Sequence, residues 1–381
     1  MYPPSESVLR RDCRHFPGDR PCRFHKDLGL RCDTCDRFEP VGRRVLIVKL
    51  DALGDVLRTT CLLPSLKRDD PSVHVTWCTR PEAAPVLAHN PLIDERILLT
   101  PEGIARLQVE HFDLVLSPDA SKAGAALAGL AGASETRGFI LGRDGQVRAL
   151  GPEPDAWLAM GADDDLKRAN RSTYQTLVHR ICALRPDGQQ IVLRLTPEEQ
   201  TAARAAAAGF GLDGAPVVGL NTGASPRWPR KRWTREGYLE LARRLLDEGC
   251  RILLLGGALE DERNRWLAER SGRRAVYPGP SVSLRSYFAW IDLCDVVVTG
   301  DTLGLHAALA LGARVVALFG PTSAHEIDLY GRGTRVVADM DCVCCYRTHC
   351  DRKPGCMESI DADRVFRAAL DEVEAACGAP A

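Results

Sequence analysis

No apolar run in the chain is long enough to cross a membrane, and the opening segment, MYPPSESVLRRDCRHF, has no hydrophobic stretch of the kind that directs export. A cytoplasmic chain that is neither inserted nor secreted is expected. Excess charge of one sign is also missing. Lys+Arg number 50 against 51 Asp+Glu, a net charge of −1, which removes any global attraction to nucleic acid or another polyanion. No nucleic-acid partner is expected. No Walker-type phosphate loop occurs, and no strand leads into the complete dinucleotide glycine fingerprint. ATPase and hydride-transfer readings are therefore disfavoured.

Cysteine, by contrast, is plentiful, with 15 in 381 residues. In a small secreted domain this would mean disulfides, but most of these thiols cluster at the two ends of a long chain without an export signal. A reducing compartment with metal-type thiol sites is the better reading. The C-terminal group is Cys342-x2-Cys345-x4-Cys350-x5-Cys356, with Cys344 and His349 beside it. Four thiolates this close can make a tetrahedral site for zinc or iron. The N-terminal group, Cys13, Cys22, Cys32 and Cys35, matches metal spacing more loosely, its strongest part being the Cys32-x2-Cys35 knuckle. Two separate sites, one shared site and reduced free thiols all fit. A structural metal would staple segments too polar to fold alone, and an iron–sulfur cluster has no discriminating spacing here. Cys61, Cys78, Cys182, Cys250 and Cys294 fall in strand or helix patterns and read as small core residues.

The length suggests two domains. Residues 1–43 are polar and show no sustained apolar period. From Arg44 strand-like runs alternate with helical ones: 44–50, a helix over 56–67, 73–78, 112–118 and a helix over 121–132. A Gly-, Pro- and Asp-rich tract over 142–165 precedes a helix over 168–184, and an interdomain region is placed near 186–215. The rhythm then restarts with 216–221, helix 234–248, 251–257, helices near 260–271 and 284–293, 296–299, helix 304–311 and 314–320. Such alternation predicts an α/β protein of two Rossmann-like domains, with ligands at the carboxyl ends of the strands in the cleft between them. The last helix, near 362–376, could return to the first half.

Four segments carry chemistry. After the first strand, KLDALGDV places Asp51 and Asp55 in the turn and at the next helix start. A carboxylate beside helix-start N–H groups stays ionised, which suits a base taking a proton from a hydroxyl; a plain helix N-cap gives the same pattern. The second half opens with NTGASPRWPRKRW, whose small residues and cations suit a pyrophosphate, or simply a solvated basic loop. Glu260, Asp261 and Glu262 follow a diglycine turn, where an acid can bind ribose hydroxyls or cap a helix. Finally VVVTGDTLGLHAALALG presents Gly300, Asp301, Thr302 and Gly304 between a strand and an apolar helix. Backbone N–H groups converging there favour an anion by ~0.3–1 kcal/mol, although an ordinary capped crossover looks alike.

In this order the segments VLIVKLDALGDV, GAS…KRW and GDTLGLHAALALG…ALFGPT resemble glycosyltransferase family 9, the heptosyltransferases of the lipopolysaccharide inner core, over about 44–370. The resemblance implies a GT-B fold, with cysteine-rich metal-binding segments added here. Residues 1–43 stand outside the resemblance as a cysteine-rich extension; the domains that follow are an acceptor-side domain at 44–190, a nucleotide-sugar domain at 191–360 containing the cysteine loop 342–356, and a C-terminal helix and tail at 361–381. The resemblance further implies inverting transfer of a heptose, or a related sugar, from an ADP-activated donor to a saccharide or glycolipid acceptor such as lipopolysaccharide core. No catalytic metal is implied, and the acceptor suggests peripheral association at the inner face of the inner membrane. By the same resemblance Asp55 is the base, with Asp51 as rival. Lys231 neutralises the donor diphosphate, and Thr222 and Ser225 are loop donors. Asp301, Thr302, Leu303, Gly304 and His306 lie at phosphate and sugar, and Glu260 meets the ribose. Leu303 stands where many members have glycine, with Gly304 one position later. Two other readings remain open: a non-catalytic nucleotide-sugar sensor or metal-stapled scaffold, and a GT-B-like sugar epimerase.

Overall fold

The computed structural model describes residues 9–186 and 190–378. The first eight residues of the extension, 187–189 of the expected interdomain region and 379–381 of the tail lie outside the described residues.

The β-branched runs that open each half become inner strands of two separate sheets. The first half supplies β1 (Arg44–Val48), β2 (His74–Thr79), β3 (Glu95–Leu98), β4 (His111–Phe112), β5 (Leu114–Ser117), β6 (Gly132–Ala133), β7 (Thr136–Leu141) and β8 (Val147–Leu150). Six of these form one sheet in the order β3-β2-β1-β5-β7-β8, parallel except at the β7–β8 hairpin, while β4 and β6 pair apart. The second half supplies β9 (Val217–Asn221), β10 (Arg251–Leu255), β11 (Val296–Gly300), β12 (Arg314–Phe319) and β13 (Gly333–Val337), in the all-parallel order β10-β9-β11-β12-β13. Central strands such as β1 and β11 are covered on both faces, so they read as continuous apolar runs rather than alternating ones. The fold is mixed α/β with two predominantly parallel sheets.

Several elements depart from their expected form for local reasons. The helix expected over 56–67 is two, Leu53–Thr59 and Leu62–Asp69. Pro64 cannot donate to the Thr60 carbonyl, so a new first turn begins just ahead of it, where a missing N–H costs nothing. The Gly- and Pro-rich tract over 142–165 holds β8 and the helix Pro152–Ala162, because Pro152 and Pro154 both fall in a first turn. The helix expected over 168–184 is likewise divided, into Asp164–Ala169 and Tyr174–Ile181. Inside the expected interdomain region lies Pro197–Gly209, started by a capping box between Thr196 and Glu199.

The last helix, Ala362–Cys377, does not return to the first half. It packs on the second sheet, burying Val365, Phe366 and Ala369, and its Glu372 accepts hydrogen bonds from Arg314 at 2.6 Å and Thr334 at 2.7 Å. Cys61, Cys78, Cys182, Cys250 and Cys294 are all buried, as small core residues should be. The two halves meet where the helices that follow β1 and β11 pack together, Leu53–Thr59 against Leu303–Leu311. That contact sets the carboxyl ends of the two sheets face to face.

Candidate active site

Asp55 lies in the first turn of Leu53–Thr59 but does not cap it; the N-cap is Ala52. Its carboxylate turns sideways instead. Arg58 Nε and Nη2 lie 3.0 and 2.8 Å from Asp55 Oδ1. Across the contact, His306 lies against Gly54: a Cβ added to that glycine would meet His306 Cδ2 at 3.2 Å. Lys231 follows at the end of the second-half basic loop, where Nζ donates to Asp301 Oδ2 at 2.6 Å. Asp301 Oδ1 is 4.0 Å from His306 Nε2. The first half thus contributes an acid, and the second half a lysine, an acid and a histidine, to one small region.

Their charges are coupled. Burial opposes ionisation of Asp55, but Arg58, Lys49, His306 and Lys231 together more than offset it and hold the carboxyl below its ordinary value. Asp301 is likewise held well below the ordinary carboxyl value, with Lys231 and His306 outweighing burial. Burial first, then Arg58, pushes His306 down to about 4. At neutral pH this is a cluster of two carboxylates, cations and a neutral imidazole. Nδ1 of that imidazole is buried without a hydrogen-bond partner among the described residues.

Thr302 is the N-cap of Leu303–Leu311, yet its hydroxyl makes no cap bond. It accepts from Asn221 Nδ2 at 2.9 Å, while the same amide reaches Thr299 at 2.8 Å and accepts from the Tyr287 hydroxyl at 3.0 Å. The Leu305 N–H turns to the Thr302 carbonyl at 3.1 Å, while those of Leu303 and Gly304 have no partner among the described residues, the property that suits an anion. Leu303 is its first residue, and the glycine one position later has a packing reason. A Cβ on Gly304 would meet Tyr287 Oη at 2.5 Å and Asn221 Nδ2 at 2.7 Å.

The remaining expected residues are placed differently from one another. Glu260 folds back over the small-residue loop: it accepts from the Gly257 N–H at 3.0 Å, and a Cβ on Gly223 would meet its Oε1 at 2.4 Å. Thr222 is fully buried and donates its hydroxyl to Asn264 at 2.7 Å, facing the interior. Ser225 is exposed, with its hydroxyl accepting from the Arg227 N–H at 3.3 Å. Asp51 is half-exposed and bound to Arg80 at 2.6 Å. The sequence reading missed Lys49, Arg58, Tyr174 and Asn221. Asn221 had a signal, being a polar residue ending a buried strand; Arg58 was hidden because its partners come from three segments.

Cys342, Cys345, Cys350 and Cys356 all line one cavity, shared with Arg230, Arg232, Arg235, Arg263 and Arg347. Arg230 also donates to the Cys350 carbonyl at 2.9 Å, tying this loop to the one that carries Lys231. Cys13, Cys22, Cys32 and Cys35 are partly buried free thiols. Among the described residues no three His, Cys, Asp or Glu side chains are grouped closely enough to hold a metal ion. The C-terminal thiols thus share a cavity without forming a closed ligand sphere.

Residues 106–354, well over half of the chain, match the family model described as glycosyltransferase family 9 (heptosyltransferase). The chain belongs to that family. As a glycosyltransferase it is 26% identical over 347 residues to lipopolysaccharide heptosyltransferase 1 of Pseudomonas aeruginosa, covering 82% of this chain and 88% of the relative. Among solved structures, a family 9 glycosyl transferase of Veillonella parvula superposes with a TM-score of 0.70 at 20% identity, covering 87% of this chain and 97% of that one. E. coli ADP-heptose lps heptosyltransferase II gives 0.63 at 20% identity, over 88% and 99%. These likenesses show that the transferase has the fold of the heptosyltransferase structures. Among its described residues no helix is long and apolar enough to cross a membrane.

Proposed function

We propose that the transferase moves a heptose, or a closely related sugar, from an ADP-activated donor to a saccharide or glycolipid acceptor such as lipopolysaccharide core, inverting the anomeric carbon. One observation carries this reading: the helix turn that bears Asp55 packs at Gly54 against His306, which with Asp301 and Lys231 forms one linked cluster in the second half. Asp55 takes the proton of the acceptor hydroxyl as that oxygen attacks the anomeric carbon, and the departing diphosphate is met by Lys231 and the open N–H groups at Leu303 and Gly304. Charge that develops only during bond cleavage is where such donors act most strongly. Thr302 supports this turn through Asn221, Glu260 binds the ribose, and Thr222 and Ser225 shape the loop. Acceptor binding falls to 44–190 and donor binding to 191–360.

Family membership, and the heptosyltransferase names of its relatives, favour transfer over a sensor or an epimerase. Such an acceptor fits an enzyme that works in the cytoplasm, with peripheral association at the inner face of the inner membrane as part of the proposal. Structural zinc or iron at the two cysteine groups completes the proposal, supported at the C-terminal group by four thiols on one cavity. Incubation with ADP-heptose and a truncated core acceptor tests it. The expected product carries one added heptose of inverted configuration; donor binding without product, or epimerised donor without acceptor, overturns it.

A further inference from the structure

The Asp55 carboxylate is gripped on one side only. Arg58 Nε and Nη2 lie 3.0 and 2.8 Å from the same oxygen, Oδ1. Oδ2 accepts no hydrogen bond among the described residues. The guanidinium is itself fixed: it stacks 3.7 Å from the centroid of the Tyr174 ring, which meets Trp157 edge-on at 6.0 Å. The Tyr174 hydroxyl is 2.6 Å from Thr59 Oγ1, and Thr59 donates to the Asp55 carbonyl at 2.6 Å. A closed circuit therefore runs from the Asp55 backbone through Thr59, Tyr174 and Arg58 to the Asp55 side chain. The side chain of Arg58 is only 13% exposed and that of Asp55 36%, so the grip lies on the buried side and the opening on the wet side.

We propose that Arg58, clamped on the Tyr174 ring, is a positioning residue that occupies Oδ1 of Asp55 and so presents Oδ2 to the acceptor hydroxyl. This rests on the reading of Asp55 as base. A carboxylate that rotates freely offers either oxygen in many directions, whereas proton transfer needs one oxygen within hydrogen-bond reach of the hydroxyl. The same contact depresses the basicity of Asp55, alongside Lys49 behind it, His306 and Lys231 from the second half, and against Tyr174 from the helix above. Asp55 therefore stays ionised to lower pH than an ordinary aspartate, and the acceptor hydroxyl gives up its proton as its bond to the anomeric carbon forms.

Charge and orientation separate in two variants, Arg58→Lys and Arg58→Met, measured in full-length enzyme by kcat and both KM values across pH, with thermal melts and ADP binding alongside. In Arg58→Lys the charge remains but the directed Nε donation and the flat stacking are lost. The kcat is expected to fall on the order of ten- to a hundredfold, with ADP affinity and the acidic limb unmoved. In Arg58→Met kcat falls further, and the acidic limb moves to higher pH because Asp55 loses its nearest cation. Wild-type kcat in Arg58→Lys, or an unmoved limb in folded Arg58→Met, overturns the proposal. Should the Met variant fail to fold, the Lys variant decides alone. Asp55→Ala separates the two levels: retained turnover there defeats the base assignment itself, whereas a dead Asp55→Ala beside a fully active Arg58→Lys defeats only the positioning claim.

Discussion

The Lys231 ammonium lies 2.6 Å from the Asp301 carboxylate, and both side chains are largely buried, at 17% and 12% exposed. Each ion compensates the other in a place where neither is well hydrated. On the proposed reading, a diphosphate entering beside Lys231 would exchange one anionic partner for a stronger one. Asp301 would then be left to His306 and to sugar hydroxyls able to donate to it.

Removing that cation should therefore damage binding and folding together. Lys231→Met leaves a buried carboxylate unpaired, a change that typically costs ~3–5 kcal/mol. It also withdraws a transition-state cation, for which a loss of ~10²–10³ in turnover is expected. Chemical denaturation and steady-state kinetics on one preparation check both. Unchanged stability with unchanged turnover would remove Lys231 from the site.

His306 should give stability a distinct pH signature. Its folded value of about 4 lies below the ordinary 6.5, so between those values the unfolded chain binds a proton that the folded chain does not. Stability then rises with pH across that window and is lost as pH falls from 6.5 towards 4, by ~3 kcal/mol at most. Asp55 and Asp301, both depressed, add a loss that sets in as pH falls through the ordinary carboxyl value of 3.8 and continues below it. His306→Gln should flatten the slope between 6.5 and 4 and leave the lower loss in place, as urea melts at stepped pH would show.

Two glycine-to-alanine changes should have opposite signs. At Gly161, inside the helix Pro152–Ala162, an added Cβ meets nothing within 4 Å, so Gly161→Ala should stabilise by up to ~1 kcal/mol. At Gly304 the same methyl is driven against Tyr287 and Asn221. Overpacking of ~1–3 kcal/mol should exceed the helical gain, and the opened helix start should weaken donor binding. Thermal melts of the pair compare them directly.

The metal proposal is checked by elemental analysis of anaerobically purified protein. About one zinc or iron per cysteine group is expected, as for tetrahedral thiolate sites. Replacing Cys345 and Cys350 by Ser should remove the C-terminal metal and spare that at Cys13–Cys35. Metal content unchanged by the substitutions, or absent from the start, would leave these residues as free thiols.

Much of the framework was legible because its strands are apolar on both faces: VLIV in β1 and VVVT in β11 have no other plausible setting. The turn at Gly300–Gly304 was legible for a related reason, since only glycine tolerates the approach of Tyr287 and Asn221. Where sequence reading went astray, a tertiary partner decided the outcome. GTRVV became the edge strand β13 through its pairing with β12, and its short, half-polar run carried no period of its own. Pro152 and Pro154 looked like loop residues because a first turn and a loop tolerate proline equally. Arg58 read as one more helix cation, and only the ring of Tyr174, over a hundred residues away, shows what it holds.

The account stands or falls on Asp55, and the decisive measurement is heptose transfer by Asp55→Asn beside ADP titration of the same sample. The amide keeps size and removes basicity. Transfer should disappear while ADP still binds with near wild-type affinity. Undiminished transfer would show that another group takes the acceptor proton, and with it the proposed mechanism would fail.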